Sequence, residues 1–246
     1  MGQEATTETA TDRLRLILGD EGLARLAQAR VMVVGLGGVG SSCAEALARG
    51  GVGRLVLVDR DMVTPSNVNR QALAFTSTLG RDKAEVMREM VLDINPAAEA
   101  CARRLYLSCE ELAEALGALP RPDYVVDAID TVTQKVALAS WCQDEGIAEL
   151  SAMGGANKLD PCRLRFARIE DTTDCPLARV MRKRCRRSGV HDLRVLFSDE
   201  EPLRMAAISE EQWARSGALL GTMSYLPPIM GQMIASRVIR DLLGWA

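Results

Sequence analysis

Three glycines and one aspartate have the types and the spacing that bind a phosphorylated nucleotide. Gly35, Gly37 and Gly40 fit the pattern G-x-G-x-x-G directly after the apolar run of residues 31–34. Glycine there permits a tight turn, a close approach of the backbone to a phosphate, and close packing of the next helix. The free N–H groups at the start of that helix favour an anion. Asp59 follows about 20 residues later, where a carboxylate can bind ribose hydroxyls.

The glycine pattern alone leaves open whether the nucleotide is a nicotinamide, a flavin or ATP. A Walker phosphate loop is excluded, because Ser41 stands where that loop requires lysine. The chain adds two cations and an acid that a nicotinamide dehydrogenase would not need: Arg70, Lys83 and Asp130. A carboxylate such as that of Asp130 can hold magnesium, which prefers oxygen ligands and usually bridges phosphates. Two cations and a metal around a triphosphate suit attack at the α-phosphate, with charge developing on departing pyrophosphate.

A separate group of basic residues lies on one side of a helix predicted over residues 175–187. Four side chains share this face at i, i+3, i+4 and i+7: Arg179, Arg182, Lys183 and Arg186. A concentrated basic face on a chain with a formal net charge of -3 is what contact with a phosphate backbone would require. The alternative interpretation is an ordinary solvated helix face.

The sequence offers few candidates for a nucleophile or an acid–base catalyst. The single histidine, His191, lies outside the nucleotide-binding half and is interpreted as a solvated loop residue. The odd number of seven cysteines, without a signal peptide, predicts reduced thiols in a cytoplasmic protein, and the lack of a C-x-x-C pair removes the usual four-cysteine zinc site. Cys175 precedes Pro176 and lies near arginines, which favour a thiolate. An ordinary cysteine at a helix start is the simpler interpretation.

Together, these residues resemble those of the adenylating enzymes related to ubiquitin-activating enzyme (the ThiF/MoeB type). The resemblance covers about residues 13–160 and is carried by Gly35–Gly40, Asp59-x-Asp61, Ser66-Asn-x-Asn69-Arg-Gln71, Lys83 and Asp127-x-x-Asp130. Further segments look like the tRNA threonylcarbamoyladenosine dehydratase branch: Gly38-Val-Gly-Ser-Ser, Gly154-Gly-Ala-Asn-Lys-Leu-Asp-Pro161 and Cys175-Pro-Leu-Ala-Arg.

The resemblance implies a ligase that uses ATP and magnesium on tRNA. Members of this branch adenylate the carboxylate of the threonylcarbamoyl group on the adenosine next to the anticodon, and pyrophosphate leaves. A nitrogen or oxygen of the same side chain then closes a ring and expels AMP. Such closure needs no enzyme nucleophile, because proximity supplies much of the rate. Two alternatives stay open: adenylation of the C-terminal glycine of a ubiquitin-like sulfur-carrier protein, and a nucleotide-sensing scaffold.

The resemblance also implies roles for individual residues. The phosphates would be lined by Gly35, Gly37, Gly38 and Gly40, and the ribose would be bound by Asp59. The rest of the nucleotide site would comprise Asp61, Asn67, Asn69, Arg70, Gln71 and Lys83, and magnesium would be held by Asp130. The catalytic group would be Arg13, Arg70, Lys83 and Asp130.

The implied role of Arg13 depends on a homodimer. Arg13 matches the second arginine of the family's R-[F/Y]-x-R pattern, which enters the ATP site of the partner subunit. This sequence departs from the pattern, since Ala10 and Thr11 replace its first two residues. A cysteine-desulfurase sulfur-acceptor protein is a further candidate partner.

Alternating strands and helices position these residues. Strands are predicted at residues 31–34, 54–59, 101–107, 124–126 and 148–152. Helices are predicted at 13–28 (one or two, broken near Gly19), after the glycine turn, and at 80–95, 110–119 and 131–145. This alternation predicts an α/β fold with a Rossmann-like, doubly wound and mostly parallel sheet. Right-handed crossovers then place the ends of the first and fourth strands around one crevice.

The chain is predicted to have three parts. These are a flexible leader (1–12), a Rossmann-like ATP-binding adenylation core (13–160), and a C-terminal α+β extension (161–246) packed on the core. Near-average fractions of hydrophobic residues (48%) and charged residues (26%) are typical of a soluble globular protein. Residues 218–236 lack charge, but Pro227-Pro228 and polar residues interrupt them, which favours a buried helix over a membrane span.

Overall fold

The computed structural model describes residues 8–203 and 220–245. Seven strands form one sheet: β1 (Arg30–Val34), β2 (Arg54–Asp59), β3 (Glu99–Arg104), β4 (Tyr124–Asp127), β5 (Ala148–Ala152), β6 (Leu164–Arg168) and β7 (Arg194–Ser198). The α-helices are α1 (Asp12–Gln28), α2 (Gly38–Arg49), α3 (Lys83–Ile94), α4 (Leu112–Gly117), α5 (Val132–Glu145), α6 (Pro176–Ser188) and α7 (Leu226–Leu243). The predicted α/β class is confirmed.

The sheet has the order β3-β2-β1-β4-β5-β7-β6 and is parallel except for β6, which pairs antiparallel with β7. From β1 the chain proceeds outwards through β2 and β3, then returns to β4 on the other side of β1. At such a reversal of strand order, the neighbouring crossovers leave a crevice outside the carboxyl ends of the strands. The predicted crevice at the ends of β1 and β4 therefore exists.

Helices cover both faces of the sheet. The core on one face contains side chains of α1, α2, α3 and α7, and the cores on the other face contain side chains of α4, α5 and α6. Because β1 and β2 are buried on both faces, they are nearly continuous apolar runs. Helix α7 packs directly on α2, where a Cβ on Gly231 would lie 2.4 Å from the Val39 carbonyl oxygen. The described elements after residue 160 thus belong to the same structure as the preceding part, because β6 and β7 extend its sheet and α7 joins its core.

Several element boundaries differ from the predicted ones for identifiable reasons. Strand β3 ends at Arg104, because Leu105 and Leu107 leave the sheet and line a cavity instead. Helix α3 begins at Lys83, because the Asp82 carboxylate caps it by accepting from the amides of Ala84 and Glu85. The kink expected in the first helix is present at Gly19. Most of the predicted leader, residues 1–7, lies outside the described residues.

Residues 226–236 of the uncharged C-terminal stretch belong to the buried helix α7, as predicted, whereas residues 220–225 precede it. Met230, Ile234 and Val238 on α7 are fully buried in the core, whereas residues 218–219 lie outside the described part. Within 8–203 and 220–245, no helix has both the length and the apolar character needed to cross a membrane.

Candidate functional site

A cavity of about 620 Å³ lies at the carboxyl ends of β1 and β4. Most of the residues predicted to bind a nucleotide line it: Gly35, Gly37, Gly38, Asp59, Asp61, Asn67, Arg70, Gln71, Lys83 and Asp130. A cavity of this size is in the range of small-molecule sites. The structure therefore brings together groups that are up to 95 positions apart in the sequence (Gly35 to Asp130).

The glycine turn is shaped by two close backbone contacts. Gly35 has a φ of +89°, and a Cβ there would lie 2.7 Å from the Ala128 carbonyl oxygen. A Cβ on Gly40 would lie only 1.8 Å from the carbonyl oxygen of Gly35. Gly40 is not part of the cavity wall; it acts by letting α2 pack against the turn. Its predicted place in the phosphate lining stays a prediction.

The amino end of α2 faces the cavity. Gly37 precedes its first residue, and no acidic residue lies in its first turn. The side chain of Arg70 passes over this end, since a Cβ on Gly38 would lie 3.1 Å from the Arg70 Cγ. Free backbone N–H groups, the helix dipole and a guanidinium therefore coincide, which makes this part of the cavity suited to phosphates.

Asp59 is held at the end of β2 with both oxygens engaged. Its Oδ2 accepts from the Leu36 amide at 2.6 Å, and its Oδ1 accepts from the Asp61 amide at 2.8 Å. Burial raises the pKa of Asp59, whereas these amide hydrogen bonds act in the opposite direction. Each carboxylate oxygen can accept further bonds. Asp59 can therefore receive ribose hydroxyls without losing its own support.

The second cation, Lys83, is buried at the start of α3 and points back to the cavity. Its Nζ lies 3.2 Å from Oδ2 of Asp61, which is itself half-exposed. Arg70 is oriented by the Ser66 carbonyl oxygen at 3.0 Å and the Asn69 side-chain oxygen at 2.8 Å. The loop between β2 and α3 and the first residue of α3 thus each place one positive charge in the cavity wall.

Three amide side chains predicted in the site have different positions. Asn67 is buried in the wall, where its side-chain oxygen accepts from the Thr64 amide. Gln71 also lines the wall, and its buried Oε1 has no hydrogen-bond partner among the described residues. Asn69 lies outside the wall and contacts Arg70 and the Thr222 carbonyl. The Asn69 side chain therefore supports Arg70, and its expected contact with the nucleotide stays a prediction.

Asp130 presents an exposed carboxylate to the cavity, with a contact from the Thr131 hydroxyl at 3.2 Å. Among the described residues, no group of three or more histidine, cysteine, aspartate or glutamate side chains is clustered to hold a metal. Magnesium does not need such a cluster, because one or two carboxylates and the phosphates of the substrate usually suffice. The donor set at Asp130 therefore fits a magnesium ion that arrives with a triphosphate.

The far end of the cavity contains groups to which sequence reasoning assigned no role. Lys158 is buried there, and its Nζ donates to the Ser198 carbonyl oxygen at 2.7 Å. Burial lowers the pKa of Lys158. Gln134, at the start of α5, is also in the wall. The available signals were a lysine within the glycine-rich 154–158 segment and a glutamine four residues after Asp130. Cys175, buried at the start of α6, lies at this end too.

Other predicted residues lie away from the cavity. Arg13 is exposed on α1 and is not part of the wall of its own chain. His191 is an exposed loop residue whose amide donates to the Gln143 side chain. On α6, Arg179, Lys183 and Arg186 are exposed. Arg182 is half-buried and donates to the carbonyl and hydroxyl oxygens of Thr172, so it braces the loop before α6.

Comparisons with known proteins agree on one group. The sequence matches the ThiF family over residues 11–246. It is 39% identical over 239 residues to the tRNA threonylcarbamoyladenosine dehydratase of Bacillus subtilis, covering 94% of this chain and 93% of that protein. The crystal structure of the Escherichia coli tRNA N6-threonylcarbamoyladenosine dehydratase, TcdA, matches with a TM-score of 0.84 and 28% identity, covering 96% and 94% of the two chains. The structure of TcdA in complex with ATP matches with a TM-score of 0.82 and 28% identity, covering 96% of this chain and 98% of that one.

Proposed function

The chain belongs to the ThiF family, and from that premise we propose that it is an ATP-dependent tRNA threonylcarbamoyladenosine dehydratase. The observation that carries the proposal is that Arg70, Lys83 and Asp130 line the same cavity as the glycine turn and Asp59. A site for a nicotinamide would have no use for these three charged groups. The choice of substrate is supported by similarity to tRNA threonylcarbamoyladenosine dehydratases over nearly the whole chain.

In the first step, the carboxylate of the threonylcarbamoyl group attacks the α-phosphorus of ATP. A bond from carbon-bound oxygen to phosphorus forms, and the bond to pyrophosphate breaks. Arg70 and Lys83 stabilise the negative charge that develops on the departing group, which is where fixed cations are most effective. Magnesium held by Asp130 would neutralise part of the phosphate charge. Asp59 anchors the ribose, so that the α-phosphate stays beside the amino end of α2.

In the second step, a nitrogen or oxygen of the same side chain attacks the activated carbonyl carbon. AMP leaves with the original carboxylate oxygen, a proton is released, and the nucleoside has lost one water. This closure needs a correct approach of two groups on one molecule rather than an enzyme nucleophile. Cys175 lines the cavity and is the candidate for such a nucleophile. Undiminished turnover of Cys175→Ala would exclude a covalent role for it.

The decisive experiment supplies the protein with ATP, magnesium and tRNA that carries threonylcarbamoyladenosine. We expect pyrophosphate release that depends on the modified tRNA, and loss of one water from the anticodon-loop nucleoside in mass spectrometry. The same tRNA without the modification is the control. Release with a ubiquitin-like carrier protein, and none with tRNA, would favour carrier adenylation instead. No release with any substrate would favour a nucleotide-sensing scaffold.

The proposal also includes an oligomeric state and a cellular location. The protein acts as a cytoplasmic homodimer in which Arg13, exposed on α1, enters the ATP site of a second copy. Its exposure and its absence from the cavity wall of its own chain are compatible with that role. Docking of a cysteine-desulfurase sulfur-acceptor protein stays a prediction.

The exposed basic face of α6 is proposed to hold the tRNA backbone. The helix buries Ala178, Met181 and Cys185 against the core, which turns Arg179, Lys183 and Arg186 outwards. Its first residues, Pro176 and Leu177, line the cavity. A tRNA bound along this face would therefore lie next to the opening through which its modified adenosine must enter.

Reversing two charges on this face tests the tRNA proposal. For Arg179→Glu/Arg186→Glu, we expect tRNA affinity to fall and the slope of log K against log salt to flatten by about 1 per lost phosphate contact. ATP affinity should be unchanged. Arg49→Glu/Arg88→Glu is a matched control, because it makes the same change in net charge on α2 and α3. Equal tRNA affinity of both double variants would reject the role of α6.

A further inference from the structure

A buried ion pair lies directly behind the turn that carries Asp130 into the cavity. Oδ2 of Asp127, at the end of β4, is 2.8 Å from Nζ of Lys135 on α5, and neither side chain has any exposed surface. Neither residue is part of the cavity wall. The pair therefore does not touch a bound nucleotide, and its effect on the site must pass through what it holds.

The pair binds both backbone polar groups of Ile129. The Ile129 N–H donates to Asp127 Oδ1 at 3.0 Å, and Lys135 Nζ donates to the Ile129 carbonyl oxygen at 3.0 Å. The Ser151 hydroxyl on β5 donates to the second Asp127 oxygen at 2.6 Å. Ile129 is itself in the cavity wall, between Ala128 and Asp130. One ion pair thus ties the end of β4, the 128–130 turn and the first turn of α5 to each other.

The same turn supports the phosphate side of the cavity. The Ala128 amide donates to the Val34 carbonyl oxygen at 2.8 Å. Its own carbonyl oxygen would lie 2.7 Å from a Cβ on Gly35. A shift of residues 128–130 would therefore displace the glycine turn as well as Asp130.

The ionisable groups around the ion pair leave the negative charge of Asp127 matched by the positive charge of Lys135. Glu149 on β5 is also buried, and one of its oxygens has no hydrogen-bond partner in the part of the chain that the structure describes. Burial and the nearby negative charge of Asp127 raise the pKa of Glu149 well above its ordinary value, although Lys135 acts in the opposite direction. This favours a neutral Glu149 and leaves Lys135 as the counter-ion of Asp127. Cys142 and Cys185 face the same cluster, and burial raises the pKa of both thiols.

A buried ion pair is weak support for stability, because well-packed apolar residues are often as good or better. Its geometry here is better explained by the two backbone groups of Ile129 that it holds in place. We infer that Asp127 and Lys135 are positioning residues that hold the 128–130 turn, and with it Asp130, against the bound nucleotide. The inference rests on the proposed function for the role of Asp130.

The test removes both charges together, so that neither is left unpaired in the interior. For Asp127→Asn/Lys135→Met, we expect the Ile129 and Asp130 amides to exchange hydrogen faster while those of β1 are unchanged. The kcat for pyrophosphate release should fall about 10- to 100-fold, the range for residues that orient a site from behind. Affinity for a non-hydrolysable ATP analogue with magnesium should fall in parallel. Ser151→Ala, which keeps both charges, should show the same changes to a smaller extent.

A second ion pair provides the control for general destabilisation. Arg194 and Asp241 form a pair with the Tyr124 hydroxyl at the opposite ends of the strands. The Arg194→Met/Asp241→Asn variant should lower the melting temperature without faster exchange at Ile129 and without loss of kcat. Unchanged exchange and unchanged analogue affinity in the Asp127/Lys135 variant would overturn the inference. Hydrogen exchange and analogue affinity need no tRNA, so they test the role of Asp127 and Lys135 even if the wild-type protein releases no pyrophosphate. Absence of pyrophosphate release would overturn the proposed function alone.

Discussion

Alanine at position 40 is expected to lower the affinity for ATP by about 100-fold or more. It should also lower the free energy of unfolding by about 3 kcal/mol, the upper part of the usual range for overpacking. The new Cβ would lie 1.8 Å from the Gly35 carbonyl oxygen. Because that neighbour is backbone and not a flexible side chain, the turn or the whole start of α2 must move.

The loss of affinity follows from what the start of α2 offers to a phosphate. Hydrogen bonds to a charged group contribute about 1.5–3 kcal/mol each. Losing two such bonds from the first amides of α2 would already exceed a hundredfold in affinity, since about 1.4 kcal/mol corresponds to tenfold. Gly40 does not touch the cavity, so this effect would be purely one of misplacement.

Gly117→Ala is the matched control for this variant. Gly117 ends α4, and a Cβ there would meet nothing within 4 Å. Alanine in a helix is better than glycine by about 0.5–1 kcal/mol, so this variant should be as stable as the wild type or more so. Calorimetry for stability and titration with ATP for affinity would compare the two. Equal results for both alanine variants would show that the packing of Gly40 against Gly35 does not control the site.

The parts of the fold that were predictable from sequence depend on local patterns. The apolar runs of β1 and β2, the glycine turn and the break at Gly19 each follow from a few neighbouring residues. The parallel order of the strands then follows from their alternation with helices. Together these place Asp59 and Asp130 at one crevice, which is why their common cavity could be predicted.

The details that could not be predicted concern residues whose surroundings depend on distant contacts. Leu105 and Leu107 have the apolar character of a strand, but they pack along the cavity after β3 has ended. Arg182 fits the basic stripe by spacing, yet Thr172 from the preceding loop holds it. Asn69 lies between the wall residues Asn67 and Arg70 in the chain without being in the wall itself. In each case the deciding contact is made by residues that the local pattern does not include.

The Asp127–Lys135 pair likewise depends on a contact that the local sequence pattern does not show. The spacing of Asp127 and Asp130 was visible as a motif, but only the docking of α5 against β4 and β5 brings Lys135 to Asp127. A lysine in the middle of a helix is usually solvated, and this one has no exposed surface. The burial of α5 on the sheet, which arises from the whole fold, gives that lysine its partner.

Replacing Asp130 with asparagine should lower the kcat for pyrophosphate release by about 10²- to 10³-fold, the usual loss when one charge-stabilising group is removed. The substitution is nearly isosteric. The side chain is exposed and is contacted by the Thr131 hydroxyl. We therefore expect the melting temperature to stay within the range of surface substitutions, which corresponds to about 0.5 kcal/mol.

The charge of Asp130, rather than its shape, should also determine the magnesium concentration that turnover requires. Asparagine keeps one oxygen but loses the negative charge that attracts the ion, so the half-saturating magnesium concentration should rise. Binding of ATP without magnesium should change little or strengthen slightly, because a carboxylate near the triphosphate repels it when no cation lies between them. Loss of turnover with retained ATP binding distinguishes this variant from Gly40→Ala, which should lose both.

Asp93→Asn serves as the control for removing one negative charge. Asp93 is exposed on α3 and does not line the cavity, so turnover and magnesium dependence should match the wild type. Steady-state pyrophosphate release over a series of magnesium concentrations would be measured for both variants. If Asp130→Asn kept the wild-type kcat and the wild-type magnesium midpoint, the metal would have to be held by other groups. Asp61, the other exposed carboxylate of the wall and the partner of Lys83, would then be the residue to test next.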